Sequence, residues 1–202
     1  MSRTLILAST SKYRAELLAR LRLPFETRSP SVDEDILPGE APDAAAARLA
    51  LAKAEAVARG ADALVIGADQ IPSLDGRILR KPGTHAAALE QLVAFRGRTV
   101  LFHTAAAVID ARDGSAHRTV DVTEVDFTRL GRDALDRYLS LEQPYDCAGG
   151  FKAEGLGIIL FSAIRSRDPT ALIGLPLIWI AATLRACGLD PLAPDRAPAA
   201  RP

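Results

Sequence analysis

The chain has 202 residues, with 25 lysines and arginines balanced by 25 aspartates and glutamates. That length can bury a full α/β core, as one domain or two closely joined lobes. Zero net charge excludes recruitment to nucleic acid or an anionic membrane by overall charge, so any phosphate ligand must be held by a local basic cluster.

The amino terminus, Met1-Ser2-Arg3, leads into the apolar run Thr4–Ala8 without a signal-peptide pattern. The run reads as a buried strand, followed by the hydroxyl-rich turn Ser9-Thr10-Ser11 and an amphipathic helix over 15–21. A helix start presents unpaired N–H groups and the positive end of the macrodipole, so the serines suit either a cap or phosphate oxygens. Arg14 shares the i, i+3, i+4, i+7 face of Leu17, Leu18 and Leu21. A guanidinium on a buried face needs an anionic partner unless it snorkels outward.

The segment 25–42 is rich in proline and acid and reads as a loop with at most one short strand. Asp43 is expected to cap an alanine-rich helix running to Arg59 and ended by Gly60. Lys53 falls on that helix's apolar stripe with Leu49, Ala56 and Val57. Leu64-Val65-Ile66 reads as a second buried strand with Gly67-Ala68-Asp69-Gln70 at its carboxyl end, where open α/β sheets present ligand-binding groups. A carboxylate there serves as general base, as cation ligand or as a plain turn cap. Asp75-Gly76 is a turn, Lys81-Pro82-Gly83 a loop, and Thr84 the cap of a helix to Phe95. Strands are expected over 99–109 and 116–127, a helix over 132–141, a break at Gly149-Gly150 and a strand over 156–161. The longest apolar stretch, 172–184, contains Gly174 and Pro176 and is short for a membrane span. A last helix runs from Pro176 to Gly188.

The Pro-Ala-Arg repetition closing the chain reads as a disordered tail over 193–202, leaving 1–192 as the folded unit. Early alternation of helices and strands followed by a strand pair predicts a mixed α/β sheet flanked by helices. Cys147 and Cys187 lack CxxC spacing and read as reduced thiols, and a soluble cytoplasmic protein is the expected setting. The sequence contains neither a Walker A loop nor the dinucleotide glycine fingerprint. Arg14, Lys53, Lys81 and Lys152 together would suffice to clamp a triphosphate balanced by a divalent metal.

Taken in order, Leu7-Ala8-Ser9-Thr10-Ser11 with Arg14, Val32-Asp33-Glu34, Lys53, Gly67-Ala68-Asp69-Gln70 and Lys81-Pro82 resemble the motifs of the Maf-like nucleotide pyrophosphatases. The resemblance extends through Cys147–Gly155 and Gly174-Leu175-Pro176-Leu177 and covers residues 3–192. It implies a two-lobed fold, similar to inosine triphosphate pyrophosphatases, with the active site in the cleft between lobes. It also implies metal-dependent hydrolysis of a nucleoside triphosphate to monophosphate and pyrophosphate, with Mg2+ or Mn2+ as the cation; pairing as a homodimer stays open. By resemblance, Asp69 is the proton acceptor, Ser9, Ser11, Arg14, Lys53 and Lys81 hold phosphates, and Glu34 with Asp69 faces the metal. Lys152 is a further pocket residue.

Tyr13, Gln70 and Glu154 resemble the family branch acting on 7-methyl-GTP, whereas the dTTP/UTP branch carries threonine and glutamine at the last two positions. N7 methylation makes guanine cationic, which favours an aromatic face and a nearby carboxylate. Glu154 can also accept from guanine N1–H and the exocyclic amine. A dTTP/UTP or broad-range pyrophosphatase, and a nucleotide-sensing regulator of septum formation, are the alternative readings.

Overall fold

A computed structural model describes residues 3–193. Its strands are β1 (Thr4–Ala8), β2 (Glu26–Arg28), β3 (Ala63–Leu74), β4 (Arg77–Ile78), β5 (Thr99–Asp110), β6 (Ala116–Phe127) and β7 (Phe161–Arg165). The helices are α1 (Lys12–Ala19), α2 (Pro42–Ala58), α3 (His85–Phe95), α4 (Arg132–Glu142) and α5 (Leu177–Ala186). The strands form one mixed sheet in the order β2-β1-β3-β5-β6-β7, with β4 paired to β3. Residues 194–202, most of the expected tail, lie outside the described region.

Alternation along β1 and β3 sends Leu5, Leu7, Leu64 and Ile66 to one face, where α1 and α5 cover them with Leu17, Leu18, Ile180 and Leu184. Ile6 and Val65 face the other way, against α2 through Ala54. A separate core lies toward the far ends of β5 and β6, where Phe102, Val125 and Phe127 meet Leu92 and Phe95 of α3 and Tyr138 of α4. The long central strands therefore tie two packed halves together, and a cleft opens between them.

Three local expectations need correction. β3 does not end at Asp69 but continues to Leu74, because β5 pairs with it from Leu64 to Ser73. Only its parallel partner stops early, at the Ala8–Gly67 pair. Beyond that pair this edge of β3 has no strand partner until β4 pairs with Ser73 and Leu74, and Asp69 stands in the gap between the two. Next, Asp43 is not the cap of α2: Ala41 holds that position, Pro42 supplies the first turn and Asp43 follows it. There its charge still complements the helix dipole. Finally, 156–160 is a 3-10 helix, and the strand begins only at Phe161. Gly157 packs so tightly that a Cβ would lie 2.3 Å from the Lys152 carbonyl oxygen, so the turn found where apolar composition suggested extension depends on glycine there. Smaller shifts are the earlier start of α1, at Lys12, and Pro176 as the cap of α5.

Gly67 decides how closely α2 approaches the sheet. A Cβ there would meet Ala50 O at 2.2 Å and Ala54 N at 2.6 Å, both helix backbone that cannot swing aside. Gly67→Ala is therefore expected to cost about 3 kcal/mol through forced separation of α2 from β3. A chemical-denaturation midpoint measures this, and an unchanged midpoint would contradict the packing.

Candidate active site

Asp69 and Gln70 leave β3 on opposite faces, and both reach the cleft. Asp69 points toward α2, at the same turn, Ala50–Ala54, that Gly67 lets approach the sheet. Lys53 on α2 meets it there, with Nζ donating to Asp69 Oδ1 at 2.6 Å. Both residues are buried, at 4% and 7% exposure. The same ammonium lies 2.8 Å from Glu34 Oε1, so one cation bridges two carboxylates. A buried lysine requires such partners, which is why it is tolerated on the helix's apolar stripe.

Glu34 reaches Lys53 from the loop between β2 and α2. Arg48 of α2 fastens that loop, donating from Nε and Nη2 to the Glu40 carboxylate at 2.6 and 2.7 Å and from Nη2 to Asp35 O at 2.9 Å. The hydrogen bond from Lys53 holds the Glu34 carboxyl below the usual range, aided by the charges of Lys53, Lys81 and Arg14 and opposed by burial. Because that value is depressed, the ion pair is intact above the ordinary carboxylate range and is lost only as pH falls through the lowered value.

The serines of the first turn do what a helix start requires. Ser11 Oγ caps α1 by accepting from Arg14 N at 3.4 Å, and Ser9 Oγ accepts from Ser11 N at 3.1 Å. Arg14 lies on the inner side of α1, with Nε donating to Gly174 O at 3.0 Å. Burial pulls its guanidinium below the ordinary value, while the Asp69 and Glu34 charges pull it back up. The positive helix end, Arg14, Lys53 and Lys81 thus surround one acidic pair.

Tyr13 also lines the cleft, with Asp146, Cys147 and Glu154 close enough to act on it. Burial, then the charges of Cys147 and Asp146, push the Tyr13 hydroxyl up to about 12. Burial and Asp146 push the Cys147 thiol up to about 11, so it remains protonated at neutral pH. Cys147 and Cys187 are both free thiols.

The cleft, of about 850 Å³, is lined by Ser9, Ser11, Tyr13, Arg14, Glu34, Lys53, Asp69, Gln70, Lys81 and Glu154. Among the sequence candidates Lys152 is the exception: its ammonium donates to Glu142 O at 3.2 Å and lies 3.4 Å from Glu142 Oε1. Glu142, the last residue of α4, thus holds it away from the cleft lining. Gln70 also behaves differently from a free base-reading amide. Its Nε2 contacts Thr104 Oγ1 at 2.9 Å, Ala171 O at 3.0 Å and Leu172 O at 2.9 Å. Arg48, Thr104 and Asp146 are contributors that no motif indicated, and Gly174 stands in a quoted motif that gave its carbonyl no role. The one available signal was the basic-acidic pairing of Arg48 with the loop before its helix.

Among the described residues, no group of three or more His, Cys, Asp or Glu converges on a metal position. Magnesium-type cations, however, are commonly held by one or two carboxylates together with substrate phosphates and waters. The Glu34–Asp69 pair fits that donor set. Also among the described residues, no helix is long and apolar enough to cross a membrane.

The mixed α/β sheet thus carries a cleft that joins a cationic helix start to a bridged carboxylate pair. The chain belongs to the Maf family, whose model, described as Maf-like protein, matches residues 4–187. It is 55% identical over 185 residues to a 7-methyl-GTP pyrophosphatase of Cupriavidus metallidurans, covering 91% of this chain and 93% of that one. A protein of the same name from Ralstonia nicotianae is 56% identical over 183 residues, covering 90% and 94%. Another, from Burkholderia pseudomallei, is 54% identical over 200 residues, covering 97% and 93%. Among solved structures, a HAM1 protein from Coxiella burnetii aligns with a TM-score of 0.46 at 20% identity, covering 64% of this chain and 75% of that one. A nucleoside-triphosphatase / dITP/XTP pyrophosphatase from Mycobacterium abscessus aligns at 0.43 and 17%, covering 95% and 98%.

Proposed function

We propose that this chain hydrolyses 7-methyl-GTP to 7-methyl-GMP and pyrophosphate, removing a modified nucleotide before it is incorporated. The observation that carries the reading is the buried Lys53 bridging Asp69 and Glu34 beside Arg14. It combines a base, cations for phosphates and a carboxylate pair in one cleft. Relatives at 54–56% identity that bear the 7-methyl-GTP pyrophosphatase name support the choice of substrate.

In this reading the triphosphate lies along Ser9, Ser11, Arg14, Lys53 and Lys81, with the helix start contributing its N–H groups. Asp69 Oδ1 is engaged by Lys53, which leaves Oδ2 to take the proton from an attacking water. The water oxygen bonds to phosphorus, the bridge between the α and β phosphoryl groups breaks, and pyrophosphate leaves with the bridging oxygen. Mg2+ or Mn2+ held by Glu34, Asp69 and substrate oxygens would neutralise charge on the transferring group. Tyr13 offers the aromatic face for the cationic base, and Glu154 accepts from its N–H groups.

Product analysis tests the cleavage site: 7-methyl-GTP should give equal amounts of 7-methyl-GMP and pyrophosphate. Appearance of 7-methyl-GDP and orthophosphate would refute it. Selectivity gives a further expected outcome. The Gln70→Thr, Glu154→Gln double variant should shift kcat/KM away from 7-methyl-GTP and toward dTTP and UTP, by about 10²-fold or more in the ratio. Because the Gln70 amide holds Ala171 and Leu172, its share of that shift should act through the loop those carbonyls belong to. An unchanged ratio would remove both residues from base selection.

A further inference from the structure

We propose that Asp168, a residue outside the cleft, is a positioning residue for the phosphate end of the site. It fixes a strap, residues 168–175, whose Gly174 carbonyl holds the Arg14 side chain. The inference rests on Arg14 binding phosphate, as proposed above.

Asp168 is 3% exposed, so its carboxylate must be satisfied inside the protein. Its Oδ1 accepts from Thr170 N at 2.8 Å and from Thr170 Oγ1 at 2.6 Å. Its Oδ2 accepts from Ile178 N at 2.6 Å, in the first turn of α5. One carboxylate thus closes the start of the strap onto a helix ten residues further along, where the dipole favours a negative charge. Thr170 Oγ1 then accepts from Leu177 N at 3.0 Å, which closes the loop a second time.

The middle of the strap is held from the sheet. Gln70, next to Asp69 in β3, and Thr104, opposite Gln70 in β5, both bond the Ala171 carbonyl, and Gln70 also bonds that of Leu172. The far end delivers Gly174 O to Arg14 Nε. Gly174 has φ +123°, a conformation L side chains rarely adopt, and a Cβ there would stand 3.4 Å from Arg14 Nε. With Nε fixed, the guanidinium presents its remaining N–H groups in one orientation, the condition for bidentate phosphate recognition. Asparagine at 168 keeps the shape but replaces one acceptor oxygen with a donor. The strap would then lose a tie while Asp69, Lys53 and Glu34 keep theirs.

A double-mutant cycle of Asp168→Asn and Arg14→Ala tests this, read by the inhibition constant of pyrophosphate, by KM and kcat for 7-methyl-GTP, and by thermal melting. Asp168→Asn alone should raise the pyrophosphate constant and KM about tenfold with kcat within about twofold. In the Arg14→Ala background the same substitution should change the pyrophosphate constant less than about twofold, because the group it positions is gone. Equal factors in both backgrounds, or none in either, would overturn the role of Asp168 and leave the phosphate assignment of Arg14 standing. An Arg14→Ala variant with unaltered pyrophosphate inhibition would overturn that assignment, and the positioning role with it. Should Asp168→Asn fail to fold, Thr170→Ala removes the strap side of the same contact, and its coupling to Arg14 decides by the same criteria.

Discussion

Asp69→Asn is expected to lower kcat for 7-methyl-GTP by roughly 10²–10⁴-fold while leaving the fold intact. The amide keeps an oxygen for Lys53 Nζ, which stands 2.6 Å from Asp69 Oδ1, and Lys53 retains Glu34 as its anionic partner. What the variant loses is the ability to take a proton from water. Steady-state pyrophosphate release measures the effect, with circular dichroism and melting as controls. A kcat within about threefold of the parent protein would exclude Asp69 as the base, since even modest general-base contributions exceed that.

The second large effect concerns Lys53. Lys53→Met should destabilise the protein by about 3–5 kcal/mol, because it leaves Asp69 buried without its cation. Activity should fall as well, because the same ammonium is assigned to the phosphates. Stability and function separate in the Lys53→Met, Asp69→Leu double variant. Two apolar side chains in place of a buried ion pair should restore much of the lost stability, without restoring turnover. Denaturant titration of the four proteins supplies the cycle. If Lys53→Met alone unfolds at the same denaturant concentration as the parent, the pair is not the buried junction described above.

Much of this site was legible because burial and charge conflict visibly in sequence. Lys53 and Arg14 stand on apolar stripes of their helices, and a cation there demands an anion. Lys53 finds Asp69 and Glu34, and Arg14 feels both. Ser11 was legible as a helix cap for a similarly local reason, since the unpaired N–H groups lie within three residues of it. The errors share a cause. The end of β3 is not legible in sequence because β1 and β5, its partners on either edge, stop at different points, and strand pairing is not written in one strand's own residues. The turn at 156–160 looks like a strand in sequence because Ile158 and Ile159 favour extension, while the constraint at Gly157 comes from the carbonyl of Lys152.

Contacts between distant segments were not legible at all. Nothing in the motif around Gln70 announces that its amide is committed to carbonyls about a hundred positions away. Asp168 is similarly silent, being an aspartate in a loop until the fold places the first turn of α5 beside it. Lys152 follows a glycine pair as a pocket lysine would, but Glu142 of α4 captures it. These are the places where tertiary geometry decides between chemically equivalent readings of one residue.

Hydrolysis of 7-methyl-GTP in this cleft, with Asp69 as the base, has a direct test. Pyrophosphate release from 7-methyl-GTP, GTP, dTTP, UTP and ITP in the presence of magnesium, run for the parent protein beside Asp69→Asn, tests it most directly. Strong preference for 7-methyl-GTP, lost in the variant, is the expected result. Preference for dTTP or UTP would contradict the assignment of the base-reading end, and no release from any of the five would contradict the claim as a whole.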